Sequence, residues 1–142
     1  MFSLINPWAV LVAAVAAYLV GWAWYSPTLW QKPWMEARGK TAEDTKAGMS
    51  GKVLLYGFVN TLLTSFVIAV FLALTQVASL MQALQVALLL CFGFVVTLKF
   101  NDLLYTNNQP HWGRRAQLLF LIDSGYQIVL FAVVAAIIWY IH

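Results

Sequence analysis

The chain has 142 residues, of which 63% are hydrophobic and 9% charged, with a formal net charge of +3 and a mean hydropathy of +0.79. Soluble domains carry about a quarter charged residues, so these figures exclude an ordinary water-soluble enzyme or binding domain and leave the integral membrane class. The pI near 9.2 does not indicate nucleic acid, because the basic residues flank apolar stretches, where topology and anionic headgroups account for them.

Crossing a hydrocarbon core of about 30 Å takes about 20 helical residues, and four stretches have that length, at about 7–25, 52–75, 80–105 and 114–141. Little chain remains for anything else. The expected fold is all-α: a single membrane domain over residues 1–142, built as a bundle of four transmembrane helices.

Asn6-Pro7 opens the first span, with a capping amide ahead of a proline at the first helical position. Ala14-Val15-Ala16 has the look of a signal-peptide cleavage site, but no Lys or Arg precedes Lys32, so an uncleaved span is expected. Tyr25-Ser26-Pro27 stops the helix, because the residue before proline avoids helical geometry. Trp22, Trp24, Tyr25, Trp30 and Trp34 crowd the same interface and are expected to anchor it at headgroup level, with a ligand-binding aromatic cage as the alternative. Thr41-Ala42-Glu43-Asp44 reads as the start of a short interfacial helix, with acids in its first turn. Ser79-x-x-Gln82 is a capping pattern for the third span, and Asn107-Asn108-Gln109-Pro110 a polar turn before the fourth.

All eight Lys and Arg residues fall on or beside the first and third connections; the N-terminal segment, Gln76–Ser79 and the C-terminal end have none. The positive-inside rule then places both termini outside and those two connections in the cytoplasm.

Small residues recur every fourth position as Ala9, Ala13, Ala17, Gly21 on the first span and Gly57, Thr61, Ser65, Ala69, Ala73 on the second. Ala83, Ala87 and Cys91 repeat the spacing on the third, and Ala132 with Ala136 on the fourth. Such stripes share one helix face and permit close backbone approach. Much of so small a bundle must face lipid or another copy, so a homo-oligomer is expected. Cys91 has no partner for a disulfide and reads as a packing residue.

The main anomaly is Asp123, a carboxylate within Leu118–Ile122 on one side and Ile128–Ile138 on the other. A charge at that depth costs at least a few kcal/mol on insertion scales and needs compensation. It lies nine residues beyond Arg114, about 13 Å along the helix. Asn60, Thr64, Lys99, Asp102, Tyr126 and Gln127 fall in the same half of the bundle and complete a candidate ligand or ion site with it. Two uses compete. Asp123 is either a structural anchor, paired with Lys99 and hydrogen-bonded to Asn60 or Tyr126, or the lining of a cytoplasm-facing cavity for a cation, proton or polar ligand. Lys99 and Asp102, three residues apart, suit a simple helix-surface pair.

Enzymatic chemistry is not expected. His111 and His142 have no ligating neighbours at metal spacing, and there is no nucleophile motif, phosphate loop or cofactor signature.

Gly21-Trp22-Ala23-Trp24-Tyr25-Ser26-Pro27, Trp34-Met35, the Thr41–Asp44 segment and Ile122-Asp123-Ser124-Gly125-Tyr126 together resemble the bacterial family called domain of unknown function 1761. The resemblance implies a four-span bacterial membrane protein without an assigned activity. Members often have Asn where this chain has Asp123, which suits a hydrogen-bonding role for the position. The functions expected are ion or polar-ligand handling, as a small transporter or channel, or service as a structural or regulatory subunit for another membrane protein.

Overall fold

The computed structural model describes residues 5–105 and 113–141; the turn at 107–110, His111 and His142 lie outside them. Among the described residues the chain is all-helical and without strands. The helices are α1 (Pro7–Trp24), α2 (Gln31–Arg38), α3 (Ala42–Gly48), α4 (Gly51–Thr75), α5 (Leu80–Leu90), α6 (Thr97–Tyr105) and α7 (Arg114–Ile141). A π-helical stretch, Cys91–Val96, joins α5 to α6, so that Leu80–Tyr105 is one span. Four helices are therefore long and apolar enough to cross a membrane, and the protein is multi-pass.

Local chemistry sets the helix ends. The Asn6 side chain accepts from the amides of Trp8 and Ala9, ahead of Pro7. Ser50 and Ser79 accept from Val53 and Gln82 at the starts of α4 and α5. Between the first two spans there are two short helices where one was expected. Pro33 sits in the first turn of α2, where its missing N–H costs nothing. Gly39 ends that helix at φ 63°, a left-handed geometry that suits glycine, with the Lys40 amide closing back on the Met35 carbonyl. Thr41 then caps α3, exchanging hydrogen bonds with Asp44.

α7 is the hub of the bundle, touching α1, α2, α4, α5 and α6. α1 lies between α7 and α4, and α5 closes the other side. The centre is made of small side chains: Ala13, Ala17, Ser65, Ala83, Ala87, Cys91, Val134 and Ala135 are all fully buried. Backbones approach closely where these small side chains face one another, with Ile68 the largest fully buried side chain among them. Thr61 and Ser65, the polar members of the α4 stripe, donate to the carbonyls of Gly57 and Thr61 at 3.0 and 2.9 Å, so neither hydroxyl is stranded. Gly57 faces the Tyr18 ring. On α7 the core belongs to Phe131, Val134, Ala135 and Ile138, while Ala132 and Ala136 are half-buried. Outside this core, Trp8, Tyr56, Leu89 and Phe94 project freely, as helices apolar on every face do in lipid.

Candidate functional site

The C-terminal end of α1, the N-terminal ends of α4 and α7, the whole of α2 and α6, and all the Lys and Arg residues gather at one end of the bundle. Asp123 is buried just below this basic end. Its two oxygens have different partners. The Tyr25 hydroxyl donates to Oδ1 at 2.8 Å. Oδ2 is shared by Arg38 Nη2 at 3.5 Å and Lys99 Nζ at 3.9 Å. The carboxylate side chain is 13% exposed, against 28% for Lys99 and 42% for Arg38, so the cations reach down to it from wetter ground. Charge-assisted N–H···O bonds run at about 2.7–2.9 Å. Both cations thus neutralise Asp123 without being fastened to it.

Each partner is placed by its own helix. Pro27 stops α1 so that Tyr25 caps it, its amide returning to the Gly21 carbonyl at 3.0 Å. Trp34 and Arg38 stand four apart on α2 and share a face; the guanidinium carbon lies 4.9 Å from the Trp34 ring centroid. Trp34 in turn packs edge-on against Tyr25, and Tyr25 against Tyr126. Lys99 follows the π-helical stretch, a widening that re-aims everything after it.

The same region holds a tight junction between α1 and α7. The Trp24 indole N–H donates to the Ile122 carbonyl at 3.1 Å. A Cβ on Gly21 would come within 2.8 Å of the Tyr126 hydroxyl oxygen, and one on Gly125 within 3.1 Å of the Trp24 ring. Each glycine makes room for the other helix's aromatic ring. The stretch ending the first span and the stretch around Asp123 are therefore one packed unit.

The comparison with protein families finds the same unit inside a larger match. Residues 8–139 match the family described as Protein of unknown function (DUF1761). The chain belongs to the DUF1761 family. Its match takes in nearly the whole chain, with both halves of the α1–α7 junction inside it. Among curated proteins and among solved structures, none matches the chain.

Of the residues picked out in this DUF1761 sequence, Asp123, Lys99 and Asp102 line one cleft of about 530 Å³ at the basic end, together with Arg38 and Lys40. Lys99 reaches Asp123 rather than Asp102, which is exposed at the rim. Tyr126 touches the cluster through its ring, and Gln127 stands half-buried one turn beyond Asp123. Asn60 and Thr64 do not join it. Asn60 is exposed, and the Thr64 hydroxyl donates to the Asn60 carbonyl on its own helix at 3.0 Å. They do not face the bundle interior, because the neighbouring positions Thr61 and Ser65 hold the inward face of α4. Trp22 and Trp30 are exposed as anchors would be, whereas Trp24, Tyr25 and Trp34 face the bundle interior at the site.

Arg38 and Lys40 line the cleft although sequence reasoning found neither, and Arg38 is the one that contacts Asp123. On a connection rich in Lys and Arg both read as topology. The available signal was the spacing of Arg38 from Trp34, four residues back on a helix ended by Gly39.

Proposed function

We propose that this protein resides in the bacterial inner membrane with both termini outside, and that its basic-end cleft opens to the cytoplasm and handles a polar or charged ligand. Complete segregation of Lys and Arg to one end supports the orientation. The observation that carries the ligand reading is the state of Asp123. A buried carboxylate bordering a cleft of about 530 Å³ is held by one firm hydrogen bond and two loose cations. Groups held this loosely can exchange partners with an incoming solute, the behaviour expected of a small transporter or of a binding protein.

A second reading has its own support. The Trp24–Ile122 and Tyr25–Asp123 bonds tie α1 to α7, which suits a rigid structural or regulatory subunit, as a homo-oligomer or beside another membrane protein. In that reading the cluster fixes helix register and binds nothing.

Proteoliposomes containing wild-type, Asp123→Asn or Asp123→Leu protein separate the two when scored for flux of protons, potassium and small organic anions. A flux in the wild type that the Asn variant alters while keeping its fold supports ligand handling. Absence of any flux or solute binding, with the Asn variant folded and the Leu variant destabilised, supports the structural subunit. For orientation, cysteines placed at Ala47 and Ala78, both exposed, should be respectively protected from and labelled by an external reagent.

A further inference from the structure

We propose that the basic-end cleft binds a phosphate-bearing ligand, held by Arg38, Lys99 and Lys40, with Asp123 as the internal counter-anion that releases two of these cations when the phosphate arrives. This rests on reading the cleft as a ligand site and names the class of ligand it takes.

Charge gives the sign. The cleft is lined by three cations, Arg38, Lys40 and Lys99, and two carboxylates, Asp102 and Asp123. The deeper carboxylate, Asp123, already has two cations on a single oxygen. A metal ion or other cation entering there would have to displace both of them and then sit beside a third. An anion meets the opposite situation. It finds an excess of positive charge, and the Asp123 contacts are too long to hold the donors fast.

Geometry narrows the anion. Arg38 lies against the Trp34 ring, which constrains the guanidinium and leaves its remaining N–H groups for a second partner. A planar fork with ammonium groups beside it suits the several oxygens of a phosphate, where one cation alone would suffice for chloride. The rest of the wall is apolar: Leu103, Leu119 and Phe120 line the cleft beside the charged groups. Cations beside an apolar wall, at the end of a membrane bundle, can accept an amphiphile as well as a soluble phosphate. A phospholipid headgroup and a free phosphate or phosphomonoester share this chemistry, and experiment tells them apart.

The test uses the full-length protein. In the first arm it is purified from nanodiscs containing phosphatidylglycerol in a phosphatidylcholine background, and retained lipid is weighed by native mass spectrometry. In the second, detergent-solubilised protein freed of phospholipid is titrated with inorganic phosphate and with glycerol 3-phosphate, and thermal stabilisation is read. Selective retention of phosphatidylglycerol with no response to soluble phosphates assigns the lipid source; saturable stabilisation by the soluble phosphates assigns the free ligand. In either case Arg38→Gln combined with Lys99→Gln should weaken binding about tenfold or more, the loss expected for one or two charge-assisted hydrogen bonds. Arg38→Lys should lose less, and Lys46→Gln, on α3 and outside the cleft lining, should lose nothing. Asp123→Asn removes the competing anion and should bind several-fold tighter. Phosphate binding that survives the Arg38/Lys99 double variant, or that Asp123→Asn abolishes with the fold intact, overturns the proposal. Binding of potassium or of a neutral solute in the cleft without phosphate binding would overturn it too, while leaving the ligand-handling reading standing. A cleft that binds no solute or lipid at all removes both.

Discussion

The Tyr25 hydroxyl donates to Asp123 Oδ1 at 2.8 Å across 98 residues of sequence, joining the cap of the first span to the buried acid of the last. Removing the donor by Tyr25→Phe leaves a carboxylate oxygen short of a partner in a mostly dry setting. The expected loss is about 1–3 kcal/mol of stability, read as a lower unfolding temperature in detergent. In an Asp123→Asn background the same substitution should cost less, since the amide makes a weaker bond than the carboxylate; equal losses in both backgrounds would show that the two side chains do not interact.

Arg38 behaves differently. Its side chain is 42% exposed and its contact with Asp123 is 3.5 Å, so solvent screens the pair. Arg38→Gln should shift stability by no more than about 1 kcal/mol. A large loss would mean that Arg38 holds α2 to the bundle, a role that falls instead to the aromatic contacts of Trp34.

The glycines at the α1–α7 junction make a steric prediction. Gly21→Ala places a methyl 2.8 Å from the Tyr126 hydroxyl oxygen and 3.3 Å from its ring carbons. Overpacking of this kind costs about 1–3 kcal/mol. Tyr126→Phe removes the nearest atom and should recover part of that loss in the double variant. Failure of the double variant to improve on Gly21→Ala would place the strain elsewhere.

Much of this architecture is written in the sequence in plain physical terms. The spans follow from apolar length, the caps at Asn6, Thr41 and Ser79 from side chains that satisfy free amides, and the packing stripes of the first three spans from small residues at i, i+4. Asp123 and Lys99 stand out because charge is costly in an apolar run. What escaped has equally physical reasons. Direction around a helix is not given by depth, so Asn60 and Thr64 entered the candidate site although the buried face is Thr61 and Ser65. Aromatics near an interface are most often anchors, which hid the bonds made by Trp24 and Tyr25. The π-helical stretch before Lys99 has no counterpart in hydrophobic periodicity, and α2, eight residues with a proline in its first turn, is too short to announce itself.

The pH response of the interfacial segment can be stated with its sign. Hydrogen bonds from the Thr41 side chain and amide hold the Asp44 carboxyl below its usual range. A depressed carboxyl stabilises the folded form above its unfolded value of about 4, and that contribution is lost as pH falls through the lower folded value. Protection factors of the amides in the first turn of α3, exchange rates corrected for the intrinsic pH dependence, should therefore be higher at neutral pH and fall in acid below about pH 4. Thr41→Val should lower this protection and remove its pH dependence, and an unchanged profile in that variant would show that the capping box is not formed.

The most direct test of Asp123 as an enclosed, partnered carboxylate compares the thermal unfolding of Asp123→Asn and Asp123→Leu. Leucine fits the hydrocarbon but leaves the Tyr25 hydroxyl without its acceptor and Arg38 and Lys99 without their shared anion. Enclosure predicts a loss of about 1.5–3 kcal/mol for Leu, the range for hydrogen bonds to charged groups, and a smaller loss for Asn. A leucine variant as stable as the wild type, or more so, would contradict it, because only a side chain turned toward lipid gains from that exchange.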